Sequence, residues 1–306
     1  MERLFSAGVS KYLKVALVHL KLIANPAASG IRTEKAIPQI TDFFNKSGVG
    51  LSLAYTSKPY EAISLAKNSC GQNFDAIVAV GGDGTVNEVV NGIANSQEIL
   101  GIIPTGSAND FAKGLQIPGQ IVEACKSILA IKTRRIDIGK VNDRYFINIA
   151  GVGLDAQVSE AASRSSFLGK GLLHYTIALA GVLLREHPKE FNLSLDGKTR
   201  RLRAWLISVG NGKQFGGGIR IIPTADLSDG QFDICVIKDA KKWRVIYYLP
   251  LVIQGKHLNL PDVAVYRAKE VEVRALGCLG HADGEIMKGD VFKFELIPQA
   301  LDVIVP

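Results

Sequence analysis

The sequence predicts two domains, an open α/β sheet followed by an antiparallel, sandwich-like β domain. Three observations predict this. The chain has 306 residues, 47% hydrophobic and 21% charged; that length suits two ordinary domains, and that composition suits packed cores rather than disorder. From Lys14, apolar β-branched runs alternate with segments of helical periodicity, the rhythm of a parallel sheet with helices on its faces. After residue 135, strand-like runs follow one another with few helices between them.

The elements follow in order. Lys14 to Ala24 reads as a strand that stops at Asn25-Pro26, because proline cannot donate to the ladder. Glu34 to Lys46 carries Ile37, Ile40, Phe43 and Phe44 on one helical face. Leu51 to Tyr55 is a short strand ending at Thr56, and Tyr60 to Asn68 a helix with Ala62, Leu65 and Ala66 on one side. Phe74 to Val80 is continuously apolar, as a strand buried on both faces must be. It runs into Gly81-Gly82-Asp83-Gly84, and a helix is expected from Thr85 with Val86, Val89, Val90 and Ile93 inward. Leu100 to Ile103 is a fourth strand, followed by Pro104-Thr105-Gly106-Ser107 and a helix from Asn109.

In the second half, strands are expected at Arg134–Val141, Arg144–Ala150, Phe191–Leu195, Thr199–Val209, Gln231–Ile237, Val263–Tyr266 and Lys269–Arg274. Asp196-Gly197 makes a hairpin turn between two of them. Helical periodicity remains in Gly169–Arg185 and Trp243–Gln254. The expected division is 14–134 for the α/β domain, 135–295 for the β-rich domain, and a tail, 296–306, that packs back on the first.

The strongest chemical signal is Gly81-Gly82-Asp83-Gly84-Thr85 between a buried strand and a helix. Glycines let backbone N–H groups approach phosphate oxygens at the positive end of a helix. Thr85 and Glu88 have capping-box spacing, as do Ser107 and Asp110 in the next loop, so two helix starts are expected to face one cleft at the carboxyl ends of the strands. Asp83, an acid beside a phosphate cradle, implies a bound cation or a proton-transfer role. The pattern is neither a Walker A loop nor the dinucleotide GxGxxG.

Gly81 to Gly92, GGDGTVNEVVNG, resembles the nucleotide-binding signature of the diacylglycerol kinase catalytic domain superfamily. The resemblance extends to Asn25-Pro26, Thr56, Pro104 to Asp110, Asp226-Leu227-Ser228-Asp229-Gly230 and Asp283-Gly284-Glu285, and so covers nearly the whole chain from Lys14. The departures are Ser107, where a threonine is usual, and the residues that precede the first strand. By this resemblance the fold is Rossmann-like in its first half, of the NAD-kinase and diacylglycerol-kinase type. The resemblance places ATP beside Asn25, Thr56, Gly81, Gly82, Asp83, Gly84, Thr85, Val86, Asn87, Glu88 and Ser107. It places the catalytic base in Asp283-Gly284-Glu285, at either carboxylate, with Asp83 organising nucleotide-bound Mg²⁺ or partnering the base. It also implies a structural Mg²⁺ held by the Asp229 carboxylate and by backbone carbonyls of Asp226 and Gln231, oxygen ligands that suit the ion. Gly216-Gly217-Gly218 matches the family too, as a site of close backbone approach or as a flap.

The function implied is transfer of the γ-phosphate of ATP to a lipid hydroxyl. Two other readings share the GGDG loop: a kinase of a soluble acceptor, like NAD kinase, and a non-catalytic nucleotide- or lipid-binding regulator. The Ser-Ala-Asn-Asp loop and the late Asp-Gly-Glu resemble the lipid-kinase arrangement, and all the carboxylates a catalyst needs are present. A lipid slot is expected at Phe167, Leu168, Leu172, Leu173, Tyr175 and Ile177, with Arg164, Lys170 and Arg185 meeting anionic head groups.

A formal net charge of +7 favours an acidic partner such as nucleotide phosphate or an anionic membrane surface. No aromatic-basic motif supports nucleic acid. The four cysteines and five histidines show no metal-ligand spacing, and no secretory signal or spanning segment is read. A cytoplasmic protein in peripheral contact with the inner face of the membrane is expected. No oligomeric state is read from the sequence.

Overall fold

The computed structural model describes residues 18–27, 31–164 and 172–306. Four parallel strands, β1 (His19–Ala24), β2 (Gly50–Tyr55), β3 (Ala76–Gly81) and β4 (Ile99–Pro104), lie in the order β4-β3-β1-β2. Helices α1 (Ile31–Lys46), α2 (Glu61–Ser69), α3 (Asp83–Ile93), α4 (Asp110–Gly114) and α5 (Ile121–Ala130) connect and cover them. Strand β3 shows why its sequence is continuously apolar. Ile77 and Ala79 pack with Val86, Val89 and Val90 of α3. Ala76, Val78 and Val80 pack with Ile40 and Phe44 of α1 and Cys125 of α5. Every strand in the set therefore ends at the same edge, where the loops lie.

The second half contains β5 (Thr133–Val141), β6 (Arg144–Phe146), β7 (Ile149–Gly153), α6 (Leu154–Arg164), α7 (Leu172–Arg185), β8 (Lys189–Leu195), β9 (Lys198–Gly210), β10 (Phe232–Lys238), α8 (Lys242–Gln254), β11 (Val263–Ala268), β12 (Glu270–Ala282) and β13 (Glu285–Ile304). These strands pair antiparallel with one another. They close around Phe146, Phe191, Phe232, Phe292 and Phe294. Aromatic side chains of this size dominate a core's burial. The turn Asp196-Gly197 has positive φ at both residues, 45° and 81°, as a tight hairpin between β8 and β9 requires. The last residues of β13 pair parallel with β4 at Asp302–Val303, so one strand belongs to both halves of the molecule.

Several elements depart from the sequence reading. The segment Arg144–Ala150 is two strands, because the N–H groups of Ile147, Asn148 and Ile149 turn to the Asp283 carboxylate. Strand β12 continues to Ala282 past an irregularity between Arg274 and Cys278, with Gly277 at φ 58°. That break hides the strand's second half from a two-residue alternation. The helix expected from Asn109 is only the five residues of α4. Helix α6 and the long strand β13 carry no clear periodicity in the sequence.

Candidate active site at the sheet edge and the domain cleft

The side expected to take nucleotide is a set of strand ends tied to one another. Asn25 N–H donates to the Val80 carbonyl at 3.2 Å, Thr56 N–H to the Ala24 carbonyl at 2.9 Å, and Thr105 N–H to the Gly81 carbonyl at 2.9 Å. The glycine loops after β3 and β4 touch. A Cβ on Gly82 would stand 3.2 Å from the Gly106 Cα, and one on Gly106 would overlap the Gly82 backbone. Gly81 leaves room for the buried Thr85 side chain, whereas a Cβ on Gly84 would meet nothing within 4 Å. Gly84 is therefore the glycine that keeps space open, at the first turn of α3 where unpaired N–H groups gather.

Both expected capping boxes are corrected by the structure. Helix α3 starts at Asp83 with Gly82 as its cap, so Thr85 lies inside the first turn. Glu88 instead accepts the Ala62 N–H at 3.2 Å, at the start of α2, and burial raises its pKa. Asn109, at φ 53°, precedes α4, and Ser107 is an exposed loop residue beside it. The Asp110 carboxylate does not cap α4. It accepts Gly217 N–H at 2.8 Å and Gln214 Nε2–H at 3.2 Å, gripping the Gly216-Gly217-Gly218 loop of the second half. All three glycines have positive φ, from 68° to 99°, which side chains rarely tolerate. Glycine is thus required by the backbone conformation of this loop, and a Cβ on Gly218 would meet nothing within 4 Å.

Asp83 accepts the Phe111 N–H at 3.1 Å. It also lies close enough to Asp110 to raise that residue's pKa, second to burial as the cause among those that raise it. The two form an acidic pair beside the glycine loops. Val86 is core, and buried Asn87 faces the other half, donating to Asp283 Oδ2 at 2.9 Å and to the Tyr145 carbonyl at 3.2 Å.

Across the cleft, the turn between β12 and β13 separates two carboxylates that the sequence leaves equivalent. Asp283, at φ 46°, accepts Ile147 N–H at 2.7 Å, Asn148 and Ile149 N–H at 3.0 Å each, and the Asn87 amide. Four donors fill the four lone-pair sites of a carboxylate. Burial pushes its pKa up to about 6, and these donors oppose that rise. Glu285, half-buried, accepts the Tyr60 hydroxyl at 2.6 Å and lies 3.8 Å from Arg144, whose guanidinium stacks over the Tyr60 ring. Tyr60 comes from the first half, so Glu285 reaches the cleft.

Behind this turn lies a small apolar cavity of about 60 Å³, whose lining includes Leu154, Leu179, Ile219, Val245, Leu249 and Val252. Its polar end is His281, Asp155 and Ser208. Asp155 Oδ2 accepts the Ser208 hydroxyl at 2.7 Å and lies 3.3 Å from His281 Nε2. The His281 ring is fully buried and stacks on Phe215 at 4.9 Å. Its Nδ1 accepts the Gly284 N–H at 3.4 Å, so the cavity floor is joined to the Asp283-Gly284-Glu285 turn. Of the expected lipid-slot residues, Ile177 is exposed on α7. Phe167, Leu168 and Lys170 lie outside the described residues, as do the side chains of Arg164, Leu172, Leu173 and Tyr175.

The acidic loop at Asp226 to Gln231 has its carboxylates already engaged. Asp229 pairs with Arg267 and accepts Gln231 N–H at 3.1 Å. Asp226 pairs with Arg134 at 3.2 Å and accepts the Ser228 N–H and hydroxyl. Among the described residues no three His, Cys, Asp or Glu side chains gather as a metal site. In this arrangement a cation at Asp229 competes with Arg267.

Residues 19–141 match the diacylglycerol kinase catalytic domain, and 148–305 match the YegS C-terminal NAD kinase beta sandwich-like domain. The chain belongs to the diacylglycerol kinase family. It is 33% identical over 256 residues to "Diacylglycerol kinase" of Bacillus subtilis, covering 83% of this chain and 84% of the relative. It is 31% identical over 290 residues to "Diacylglycerol kinase" of Staphylococcus saprophyticus, covering 94% and 95%. A Bacillus anthracis structure, solved as a candidate diacylglycerol kinase, superposes with a TM-score of 0.80 at 28% identity over 96% of this chain and 99% of that one. The two-domain α/β and β-sandwich fold of this family is the fold expected from the sequence.

Tyr60, Arg144, Asp155 and His281 lie around the Asp283-Gly284-Glu285 turn without any motif in the sequence to mark them. Asp110 and the triple-glycine loop are both visible in the sequence, whereas their contact, made across 107 residues, is not.

Proposed function

We propose that the protein is an ATP-dependent lipid kinase that moves the γ-phosphate of ATP to a hydroxyl of diacylglycerol or a related lipid. Its relatives carry the diacylglycerol kinase name, and one observation in this chain carries the acceptor class. The apolar cavity is bounded by buried His281, which is hydrogen-bonded to the turn that bears Glu285. The apolar lining suits the start of an acyl chain, for which the pocket would widen between α7 and α8, and a soluble dinucleotide does not need such a lining.

In this reading the ATP phosphates lie along Gly82, Gly84 and the first turn of α3, with Asn25, Thr56 and Ser107 around the nucleotide. Asp83 and Asp110 receive the Mg²⁺ that enters with ATP as its substrate complex. Glu285 is the base. It is the carboxylate that faces the cleft, whereas the oxygens of Asp283 are filled by donors that hold the turn in place. The lipid O–H gives its proton to Glu285, its oxygen bonds to the γ-phosphorus, and the bond to the β–γ bridging oxygen breaks, releasing ADP. Positioning and charge supply the rate in phosphoryl transfer. A second Mg²⁺ at Asp229, with carbonyls of Asp226 and Gln231, remains part of the proposal, and its binding would displace Arg267.

Among the described residues no helix is long and apolar enough to cross a membrane. A cytoplasmic kinase that meets its lipid at the inner membrane surface is the arrangement that fits this proposal.

The test is incubation with γ-labelled ATP, Mg²⁺ and a panel of lipids in mixed micelles, with NAD as a soluble acceptor. Label in one organic-phase lipid is expected and names the substrate. Label in NAD alone overturns the proposal in favour of a soluble-acceptor kinase, and nucleotide binding without transfer overturns it in favour of a regulator.

A further inference from the structure

The outer faces of α7 and α8 are apolar, and both helices also line the acyl cavity from within. On α7, Ile177, Ala180, Gly181 and Leu184 are exposed, Leu184 to 80%. On α8, Trp243, Ile246 and Tyr247 are exposed to 63%, 54% and 66%. These positions recur at helical spacing, so each set forms one stripe. The stripes are neighbours, because Lys242 Nζ donates to the Leu184 carbonyl at 3.0 Å. The opposite faces are buried together, Leu179 and Leu183 of α7 against Val245 of α8. Val245, Tyr248, Leu249 and Val252 then continue into the cavity lining. A soluble helix is normally apolar on one face and polar on the other. Two adjacent helices that are apolar on both faces have an apolar medium outside as well as inside.

We propose that the α7–α8 face docks on an anionic lipid bilayer and that these two helices form the wall across which the lipid substrate enters the cavity. This rests on the lipid-kinase reading above. Several observations select a bilayer as the occupant. Trp and Tyr side chains, apolar in body and polar at the tip, favour the bilayer interface. Exposed Lys241 and Arg185 stand at the end where the two helices meet, placed for anionic head groups. The other charges nearby leave that attraction in place. Arg244 is held by Asp262 at 3.0 Å, Asp239 faces Arg203 at 3.4 Å, and half-buried Glu186 is the remaining acid beside Arg185. A lipid leaving the membrane at this face passes from one apolar environment to another.

Of the two tryptophans, Trp205 is 3% exposed and Trp243 is 63% exposed, so fluorescence reports the patch directly. The full-length protein would be titrated, without nucleotide, with vesicles of phosphatidylcholine alone and of phosphatidylcholine with phosphatidylglycerol. A blue shift of Trp243 emission on the mixed vesicles is expected, and none in Trp243→Phe, where only buried Trp205 remains. Ile246→Ser with Leu184→Ser should weaken vesicle flotation by roughly tenfold or more, as loss of two buried apolar side chains implies. Lys241→Glu with Arg185→Glu should weaken it on the mixed vesicles only. Because these residues lie outside the cleft, kcat/KM for a short-chain, water-soluble diacylglycerol should stay within about twofold of wild type, a control that also shows the variants fold.

Unchanged flotation in both double variants overturns the proposal, as does a Trp243 that ignores vesicles. So does dimerisation of the wild type that the Ile246→Ser and Leu184→Ser changes abolish, which would make a second copy the occupant. Failure of the two readings is distinguishable. Lipid phosphorylation in micelles with a silent Trp243 removes the docking face alone. Vesicle binding through Trp243 with no phosphate transfer to any lipid removes the kinase reading instead.

Discussion

The two walls of the cleft are built in different ways. The proposed nucleotide wall is assembled from consecutive strand ends, with Asn25 after β1, Thr56 after β2, Gly81 to Gly84 after β3 and Thr105 to Ser107 after β4. Each contribution is local, and each is followed by its own helix. The proposed acceptor wall is assembled from distant segments. Asp283 binds the backbone at 147–149, His281 meets Asp155, and Asp110 of the first half grips Gly217. The first wall is a property of short motifs, and the second exists only once the sheet has closed. Both walls depend on long-range pairing, but in the first each group lies in one short run of sequence, whereas in the second the partners of each group are far apart in the chain.

Changes at the reacting groups should break the acceptor wall most sharply. Glu285→Gln keeps a hydrogen-bond acceptor for Tyr60 and removes the base, and should lower kcat by about 10²–10⁴. Steady-state transfer to lipid checks it, and loss of the same size in Asp283→Asn with Glu285→Gln unaffected would reverse the assignment. On the nucleotide wall, Asp83→Asn retains an oxygen for the Phe111 N–H and loses the charge. It should lower kcat by roughly 10²–10³, the range for one positioned electrostatic group, with circular dichroism unchanged.

A backbone change sharpens the comparison at the point where the walls meet. Gly217 sits at φ 92°, so Gly217→Ala should destabilise the loop by about 1–3 kcal/mol and loosen the grip of Asp110. A lowered Tm together with a raised KM for MgATP would show that the two walls are coupled there. Gly84→Ala adds a Cβ where space is open, so it should weaken nucleotide binding while leaving Tm nearly unchanged.

The smallest effect is on pH dependence. The Asp283 pKa is raised from 3.8 to about 6, so the folded state holds this proton more tightly than the unfolded chain. Its contribution to stability is complete below pH 3.8 and is lost as pH rises through about 6. Between those values it should tilt the unfolding free energy downward by about 1.4 kcal/mol per pH unit at most. In Asp283→Ala that part of the slope should vanish, although the variant is less stable throughout because four N–H groups lose their acceptor. Urea unfolding across this pH range measures both effects.

The same contrast explains what the sequence made legible. The α/β half announces itself in β3, whose apolar run needs burial on both faces, and in the three glycines that follow it. The starts of α3 and α4 differ from the sequence reading by one or two residues, because Gly82 and Asn109 cap by backbone conformation rather than by side chain. In the β half, most strands were visible from residue type. Strand β13 was not, because its early residues alternate weakly and Gly289 and Pro298 interrupt it. Asp283 and Glu285 were visible as a pair and could not be told apart. What separates them is the location of three backbone N–H groups more than a hundred residues away in sequence. The cavity and the α7–α8 face depend on which side of each helix meets the sheet, and Trp243 gives no sign in the sequence of pointing outward.

In the proposed mechanism a carboxylate on the acceptor wall deprotonates a lipid hydroxyl while ATP rests on the other wall. The most direct measurement pairs wild type with Glu285→Gln, recording nucleotide affinity by calorimetry and label transfer from γ-labelled ATP to diacylglycerol in micelles. The account predicts equal nucleotide affinity, transfer by the wild type, and transfer lower by at least about a hundredfold in the variant. Equal transfer by both proteins would contradict it.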